Sequence, residues 1–154
     1  MLRIGEGWDL HQLTEGRALM LGGIEIPSSK GEVAHSDGDV LLHAVIDSIL
    51  GACADGDIGS HFPDTDPIYK DCKSIELLKR VVATHPFTLC NIDCTITLQS
   101  PHLRPFIESI RVSLSQALGA QDNQVSIKAK TSEHLGPVGE GKAIEARAVI
   151  LIEV

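Results

Sequence analysis

The sequence predicts an α/β (α+β) fold, in which a mixed sheet of about four strands is covered by helices and accompanied by a β-hairpin. Two patterns predict this fold. Apolar and polar residues alternate in several short runs, as in half-buried strands, and apolar residues recur every three to four positions in three longer runs, as in helices. The 154 residues, 43% hydrophobic and 22% charged, suit a single globular domain spanning residues 1–154.

Alternation and turn residues predict the strands. The first two, at 2–10 and 18–26, are separated by the turn sequence Thr-Glu-Gly-Arg and are expected to pair as a hairpin. Gly22 and Gly23 within the second strand indicate a bulge or a close backbone approach. Later strands are predicted at 88–99, 124–130 and 143–154.

Helices are predicted at 39–54, 73–85 and 105–118. The first has Ser36 or Asp37 as its candidate N-cap, and Gly119 is expected to end the last. Because the first helix is apolar around most of its circumference, we expect it to be buried on several sides and to contact another subunit. Segments 55–70 and 133–142, rich in glycine and other turn residues, are predicted loops.

Charge and cysteine content exclude several classes of protein. The net charge is −8 and the 13 lysines and arginines form no basic run, which argues against a nucleic-acid partner. No apolar run reaches the roughly 18 residues of a membrane span, and the N-terminus resembles no signal or transit peptide. The four cysteines lack metal-finger spacing and could form two disulfides, but Cys90 and Cys94 lie in an apolar strand pattern, so we expect buried thiols in a reducing compartment, the cytoplasm.

An aspartate and two histidines indicate a metal site. Asp9 and His11 are two residues apart in a predicted strand, so their side chains point to the same side. His43 lies among apolar helix residues, where an unpaired polar ring would cost about 1–3 kcal/mol. A zinc ion shared by all three would satisfy it and leave one coordination position open. The alternative is that His43 is a core histidine bonded to a backbone carbonyl.

Three further clusters have the composition of ligand-binding loops. Asp57–Gly59 together with Phe62–Asp66 suits sugar hydroxyls or a second cation, although the same residues are common turn formers. Lys128–Glu133 leaves a strand end with lysines, hydroxyls and a carboxylate that suit phosphate and Mg²⁺, unless the lysines are merely solvated. Gln99–Pro105 is a proline-bracketed loop able to receive a base.

Four blocks in order resemble the 2-C-methyl-D-erythritol 2,4-cyclodiphosphate synthase family: R-I-G-x-G-x-D-x-H, A-H-S-D-G-D-V-x-x-H, G-D-I-G-x-x-F-P-D-T-D and K-x-K-T-x-E. The resemblance covers essentially the whole chain. It implies a cytoplasmic lyase of isoprene biosynthesis, in the methylerythritol phosphate pathway. Such an enzyme converts 4-diphosphocytidyl-2-C-methyl-D-erythritol 2-phosphate into the cyclic diphosphate and releases CMP. It also implies a homotrimer with active sites at the subunit interfaces.

The resemblance further implies the roles of individual residues. Asp9, His11 and His43 would hold one zinc ion per subunit, and Glu133 a Mg²⁺ or Mn²⁺ ion on the substrate diphosphate. His35 and Thr131 would align the transferring phosphoryl group. The remaining substrate-binding residues would be Ser36, the methylerythritol-binding residues Asp57, Ile58, Gly59, Phe62, Pro63, Asp64, Thr65 and Asp66, and the cytidine-phosphate-binding residues Leu98, Ser100, Pro101, His102, Leu103, Arg104, Lys130 and Ser132.

Two other functions are compatible with the residues. One is a metal-dependent phosphohydrolase, in which the same zinc activates water. The other is a non-catalytic module that binds a metal or nucleotide. His35 and Thr131 together favour an enzyme, since a binding module would not need both.

Overall fold

The computed structural model describes residues 1–154 as a five-stranded sheet with helices on one face and a separate two-stranded hairpin. In chain order the elements are β1 (Leu2–Glu15), β2 (Leu19–Leu21), β3 (Ile24–Ile26), β4 (Lys30–Glu32), α1 (Val40–Cys53), α2 (Ile58–His61), α3 (Ser74–Thr84), β5 (Thr88–Thr97), α4 (Ile107–Leu118), β6 (Val125–Lys130), α5 (Gly136–Gly139) and β7 (Ala143–Glu153). Short 3₁₀ turns lie at Pro67–Tyr69, Arg104–Phe106 and Asp122–Gln124.

The sheet has the strand order β4-β1-β7-β5-β6, with β5 and β6 parallel and the other pairs antiparallel. The mixed sheet is therefore confirmed, but the prediction of about four strands is wrong by one. The additional strand, β4, is only three residues long, too short to show an alternating pattern.

The predicted pairing of the first two strands is also wrong. β1 continues to Glu15 and pairs with β7 and β4, whereas the hairpin is formed by β2 and β3. Gly22 and Gly23 form its turn, with φ angles of 65° and 85°. A two-residue hairpin turn with both φ angles positive favours glycine at both positions, which is why this pair turns the chain rather than bulging it.

Helix α1 packs directly on β1. A side-chain Cβ added at Gly7 would lie 1.8 Å from the carbonyl oxygen of Ala44, and one at Gly5 would lie 1.9 Å from that of Ser48. The two glycines thus allow a backbone-to-backbone approach that no other residue permits. Eleven of the fourteen α1 residues are buried within this one chain. Burial within one chain therefore explains why α1 is so apolar, and the contact with another subunit that we expected for this helix is not needed.

The N-cap of α1 is Asp39 rather than Ser36 or Asp37. Its carboxylate accepts hydrogen bonds from the backbone N–H groups of Leu42, Gly22 and Gly23. Asp39 therefore caps the helix and ties it to the β2–β3 turn.

The opposite face of the sheet is not covered by any helix. Apolar side chains of β1 and β7 are exposed there: Leu2, Ile4, Trp8, Leu10 and Val149. No helix in the structure is both long enough and apolar enough to cross a bilayer. All four cysteines are free, but of these predicted buried thiols only Cys94 is fully buried.

Candidate active site

The three predicted metal ligands converge where β1 lies against the first turn of α1. The Oδ2 atom of Asp9 lies 2.9 Å from Nε2 of His11 and 3.1 Å from Nδ1 of His43. One ligand atom from each residue lies within 4.8 Å of the other two. Because Gly7 brings β1 against α1 just before Asp9, the helix–strand contact itself sets the separation of the ligands.

The electrostatics of the cluster suit a cation. Burial alone raises the pKa of Asp9, but its hydrogen-bonding contacts with His11 and His43 hold it well below its usual range. Burial lowers the pKa of His11, but the hydrogen bond and charge of Asp9 outweigh this and raise it. An ionised carboxylate flanked by two imidazoles is a donor set that zinc prefers, so the residues present fit a bound divalent ion.

The alternative of a backbone-bonded core histidine does not describe His43. Its Nδ1 faces Asp9, and its Nε2 lies 2.9 Å from the hydroxyl of Ser74 and 3.2 Å from that of Ser36. It is His11 that bonds to the backbone: its Nδ1 donates to the carbonyl oxygen of Gly38 over 2.7 Å. That bond leaves Nε2 of His11 directed at Asp9.

The cluster opens into a cavity of about 300 Å³. Besides Asp9, His11 and His43, the predicted site residues on its walls are His35, Ser36, Ile58, Gly59, Phe62 and Asp64. Blocks that are far apart in the sequence therefore meet in one cleft. Ring nitrogen Nε2 of His35 lies 3.3 Å from the carbonyl oxygen of Asp66.

Two acidic residues of the 55–70 segment accept hydrogen bonds within their own loop. Asp57 accepts hydrogen bonds from the backbone and hydroxyl of Ser60 at the start of α2, and Asp66 accepts one from the backbone of Ile68. Asp57, Pro63, Thr65 and Asp66 do not line the cavity.

A second cavity, of about 460 Å³, has a cationic wall. It is lined by His102, Leu103, Arg104, Ile107, Ile127, Lys128, Ala129 and Lys130. Lys128 is paired with Asp93 at 2.6 Å, so Arg104 and Lys130 are the cations of this wall without an ion-pair partner. Leu98, Ser100 and Pro101 precede it but do not line it.

Thr131, Ser132 and Glu133 line neither cavity. The hydroxyl of Thr131 lies 3.4 Å from Oε1 of Glu133, and Glu133 is exposed. Glu133 and His134 adopt positive φ angles of 51° and 61°, an uncommon conformation for residues other than glycine. Within one chain these residues are not part of the Asp9 cluster.

Several residues near the site were not predicted from the sequence. Val33, Ala34, Tyr69, Cys72 and Leu77 complete the wall of the first cavity. The one signal available was Tyr69, the only tyrosine in the chain, which lies on the predicted functional loop. Apolar wall residues cannot be distinguished from core residues by pattern alone.

Comparison with known proteins identifies the family of this chain. The model of the YgbB family matches residues 2–153. A 2-C-methyl-D-erythritol 2,4-cyclodiphosphate synthase of Bacillus pumilus is 52% identical, over 99% of both chains. A structure of such a synthase in its CDP-bound form superimposes with a TM-score of 0.89 at 39% identity, covering 98% of this chain and 100% of that one.

A longer relative has the same fold over part of its length. The bifunctional IspDF of Campylobacter jejuni superimposes with a TM-score of 0.95 at 36% identity, over 99% of this chain; the present chain spans 42% of that protein. With the family model covering nearly every residue and a full-length relative above half identity, this chain belongs to the YgbB family, that of the 2-C-methyl-D-erythritol 2,4-cyclodiphosphate synthases.

Proposed function

We propose that this enzyme converts 4-diphosphocytidyl-2-C-methyl-D-erythritol 2-phosphate into 2-C-methyl-D-erythritol 2,4-cyclodiphosphate and CMP, as the names of its relatives suggest. The observation that carries the proposal is the meeting of Asp9, His11 and His43 at one point on the wall of a cavity. The reaction joins the 2-phosphate oxygen to the β-phosphorus and breaks the bond from that phosphorus to CMP. The attacking phosphate is already an anion near neutral pH, so no general base is needed.

Two cations are part of the proposal. Asp9, His11 and His43 would hold a zinc ion, and Glu133 would hold Mg²⁺ or Mn²⁺. Bound divalent ions supply positive charge to phosphate oxygens and orient them for in-line attack. The protein needs this help, since its own net charge is −8 and the substrate is a polyanion.

The chain's own residues bind and align the two halves of the substrate. The first cavity, with Ile58, Gly59 and Phe62 on its wall, would receive the methylerythritol part. The second, with Arg104 and Lys130, would receive the cytidine phosphate; a CDP-bound relative supports a cytidyl ligand. His35 would donate a hydrogen bond to the transferring phosphoryl group from the first cavity.

A homotrimer would complete the site. In one chain Thr131 and Glu133 line neither cavity, so an active site between subunits would let a neighbouring chain bring them to the substrate. The uncovered sheet face is the candidate interface, because Leu2 and Ile4 are 63% and 70% exposed and aligned on one strand. Contiguous apolar exposure of this kind is typical of subunit contacts. The four free cysteines support a cytoplasmic location.

Phosphorus NMR of the purified enzyme with the cytidyl substrate and Mg²⁺ tests the reaction. A cyclic diphosphate and CMP, with no ¹⁸O incorporated from labelled water, is the expected result. Inorganic phosphate or incorporated ¹⁸O would show a phosphohydrolase instead. Binding of CDP without any turnover would contradict both enzymes and favour a binding module.

A further inference from the structure

We infer that Ser74 and Asp37 are a positioning pair for His43, holding the imidazole in the tautomer that presents Nδ1 to the metal. Neither residue carries a role in the reaction as proposed above. The inference rests on the proposed metal site and adds to it the groups that orient one of its ligands.

A chain of short contacts connects His43 to the pair. Nδ1 of His43 lies 3.1 Å from Asp9, on the side where the ligands meet. On the other side of the ring, Nε2 lies 2.9 Å from the Ser74 hydroxyl oxygen. That hydroxyl lies 2.5 Å from Oδ1 of Asp37.

The donors and acceptors determine where the protons are. The hydroxyl of Ser74 has one proton, and it is donated to the Asp37 carboxylate, which can only accept. The Ser74 oxygen must then accept its other bond, so Nε2 of His43 carries a proton and donates it. Ser36, 3.2 Å from the same nitrogen, accepts from the backbone N–H of Gly38 and offers a second, longer contact. With Nε2 protonated, the neutral ring has its lone pair on Nδ1.

Backbone and side-chain hydrogen bonds both hold Ser74 and Asp37 in position. Ser74 is the first residue of α3 and is fully buried, and the N-cap residue Lys73 makes no side-chain cap. Oδ2 of Asp37 instead accepts from the backbone N–H of Ser74 over 3.2 Å. The backbone N–H of Asp37 donates to the carbonyl oxygen of Cys72 over 3.0 Å. Asp37 is therefore held rigidly at the N-terminus of α3, where a negative charge is favourable.

The expected consequence is a tighter metal site. A partner on the distal nitrogen of a ligating histidine fixes the ring and raises the basicity of the ligating nitrogen, and its removal typically lowers metal affinity by about 10–100-fold. Ser74→Ala removes the acceptor and should fall in that range. Asp37→Asn keeps the size of the side chain but removes its charge, so a smaller loss in the same direction is expected.

The test measures zinc dissociation constants by competition with a chromophoric chelator, and the Nε2–H proton of His43 by NMR of the zinc-loaded protein. The matched control is Ser115→Ala, because Ser115 is also a buried serine but its hydroxyl has no partner. His43→Ala serves as the reference for a lost ligand.

The inference is supported if Ser74→Ala weakens zinc binding and abolishes the hydrogen-bonded Nε2–H signal, Asp37→Asn shifts both partially, and Ser115→Ala changes neither. The inference is overturned if the Ser74→Ala or Asp37→Asn protein has a lower melting temperature without zinc but keeps the wild-type zinc dissociation constant and the His43 Nε2–H signal. The pair would then stabilise the fold without positioning His43. Should Ser74→Ala not fold, Asp37→Asn decides alone. If His43→Ala binds zinc as tightly as wild type, the metal site itself is wrong, and the inference falls with it.

Discussion

Substitution of Gly7 by alanine should damage both the fold and the metal site. Gly7 is two residues before Asp9 on β1, at the point where the strand touches α1. The added Cβ would lie 1.8 Å from the carbonyl oxygen of Ala44, and that residue neighbours His43. Backbone, unlike a flexible side chain, cannot rotate out of the way.

The magnitude follows from this distance. Ordinary carbon–oxygen contacts begin near 3.4 Å, so β1 and α1 must separate by roughly 1.5 Å. Overpacking in a well-packed core costs about 1–3 kcal/mol, and a clash with backbone belongs at or above the upper end. Metal sites tolerate changes of only about 0.2 Å in ligand distance. We therefore expect a loss of about 3 kcal/mol in the free energy of unfolding and a loss of zinc binding.

Urea denaturation of the zinc-free protein and zinc titration of the folded variant measure the two effects. The control is Gly51→Ala, because a Cβ there lies 3.7 Å from its nearest neighbour, in the helix α1. Alanine in a helix interior should stabilise the protein by about 0.5–1 kcal/mol. A Gly7→Ala variant with wild-type stability and zinc affinity would refute the claim that this contact sets the ligand spacing.

Three further outcomes are expected. Burial raises the pKa of Glu32 to about 9, and the charge of Asp39 adds to this, so between pH 4.5 and about 9 the folded state keeps a proton that the unfolded chain releases. The free energy of unfolding should therefore decrease as pH rises from 4.5 to about 9, and Glu32→Gln should flatten this decrease in a series of urea denaturations. An unchanged slope in the variant would assign the decrease to other groups. Ile4→Asp should dissociate the proposed trimer in sedimentation experiments. Ile68→Asp should not, because Ile68 is 69% exposed on a 3₁₀ turn away from the sheet; equal effects would exclude the sheet face as the interface. Thr131→Ala should lower kcat more than it raises KM, and an equal change in both would argue against a role in aligning the phosphoryl group.

Elements with a strong local period were predictable from the sequence. Helices α3 and α4 and strands β5 and β7 are predicted to within about two residues at every end, because each buries one continuous face and shows it as alternation or a helical repeat. The pairing of β1 with β7 was not predictable, because it joins residues at opposite ends of the chain and no local signal specifies it.

The N-cap of α1 shows a different limit. Ser36, Asp37 and Asp39 are all good capping residues, so residue type could not choose among them. The choice depends on the N–H groups of Gly22 and Gly23, which reach Asp39 from the hairpin turn. Such tertiary contacts are visible only once the chain is folded.

The metal cluster was the most predictable part of the site. Asp9 and His11 share a strand face, and His43 is a polar ring on an apolar helix. All three are side chains that bind zinc, so the sequence predicts that they meet at one metal ion. Ser74 gave no such signal, because a serine at the start of a helix is ordinary. Its contact with His43 depends on how α3 packs beside α1.

The most direct test of the metal site is a crystal structure of the zinc-loaded enzyme with an anomalous difference map collected at the zinc edge. One peak per chain is expected, about 2.0–2.2 Å from Oδ2 of Asp9, Nε2 of His11 and Nδ1 of His43. A peak elsewhere, or a zinc-saturated protein with these three side chains unliganded, would contradict the account.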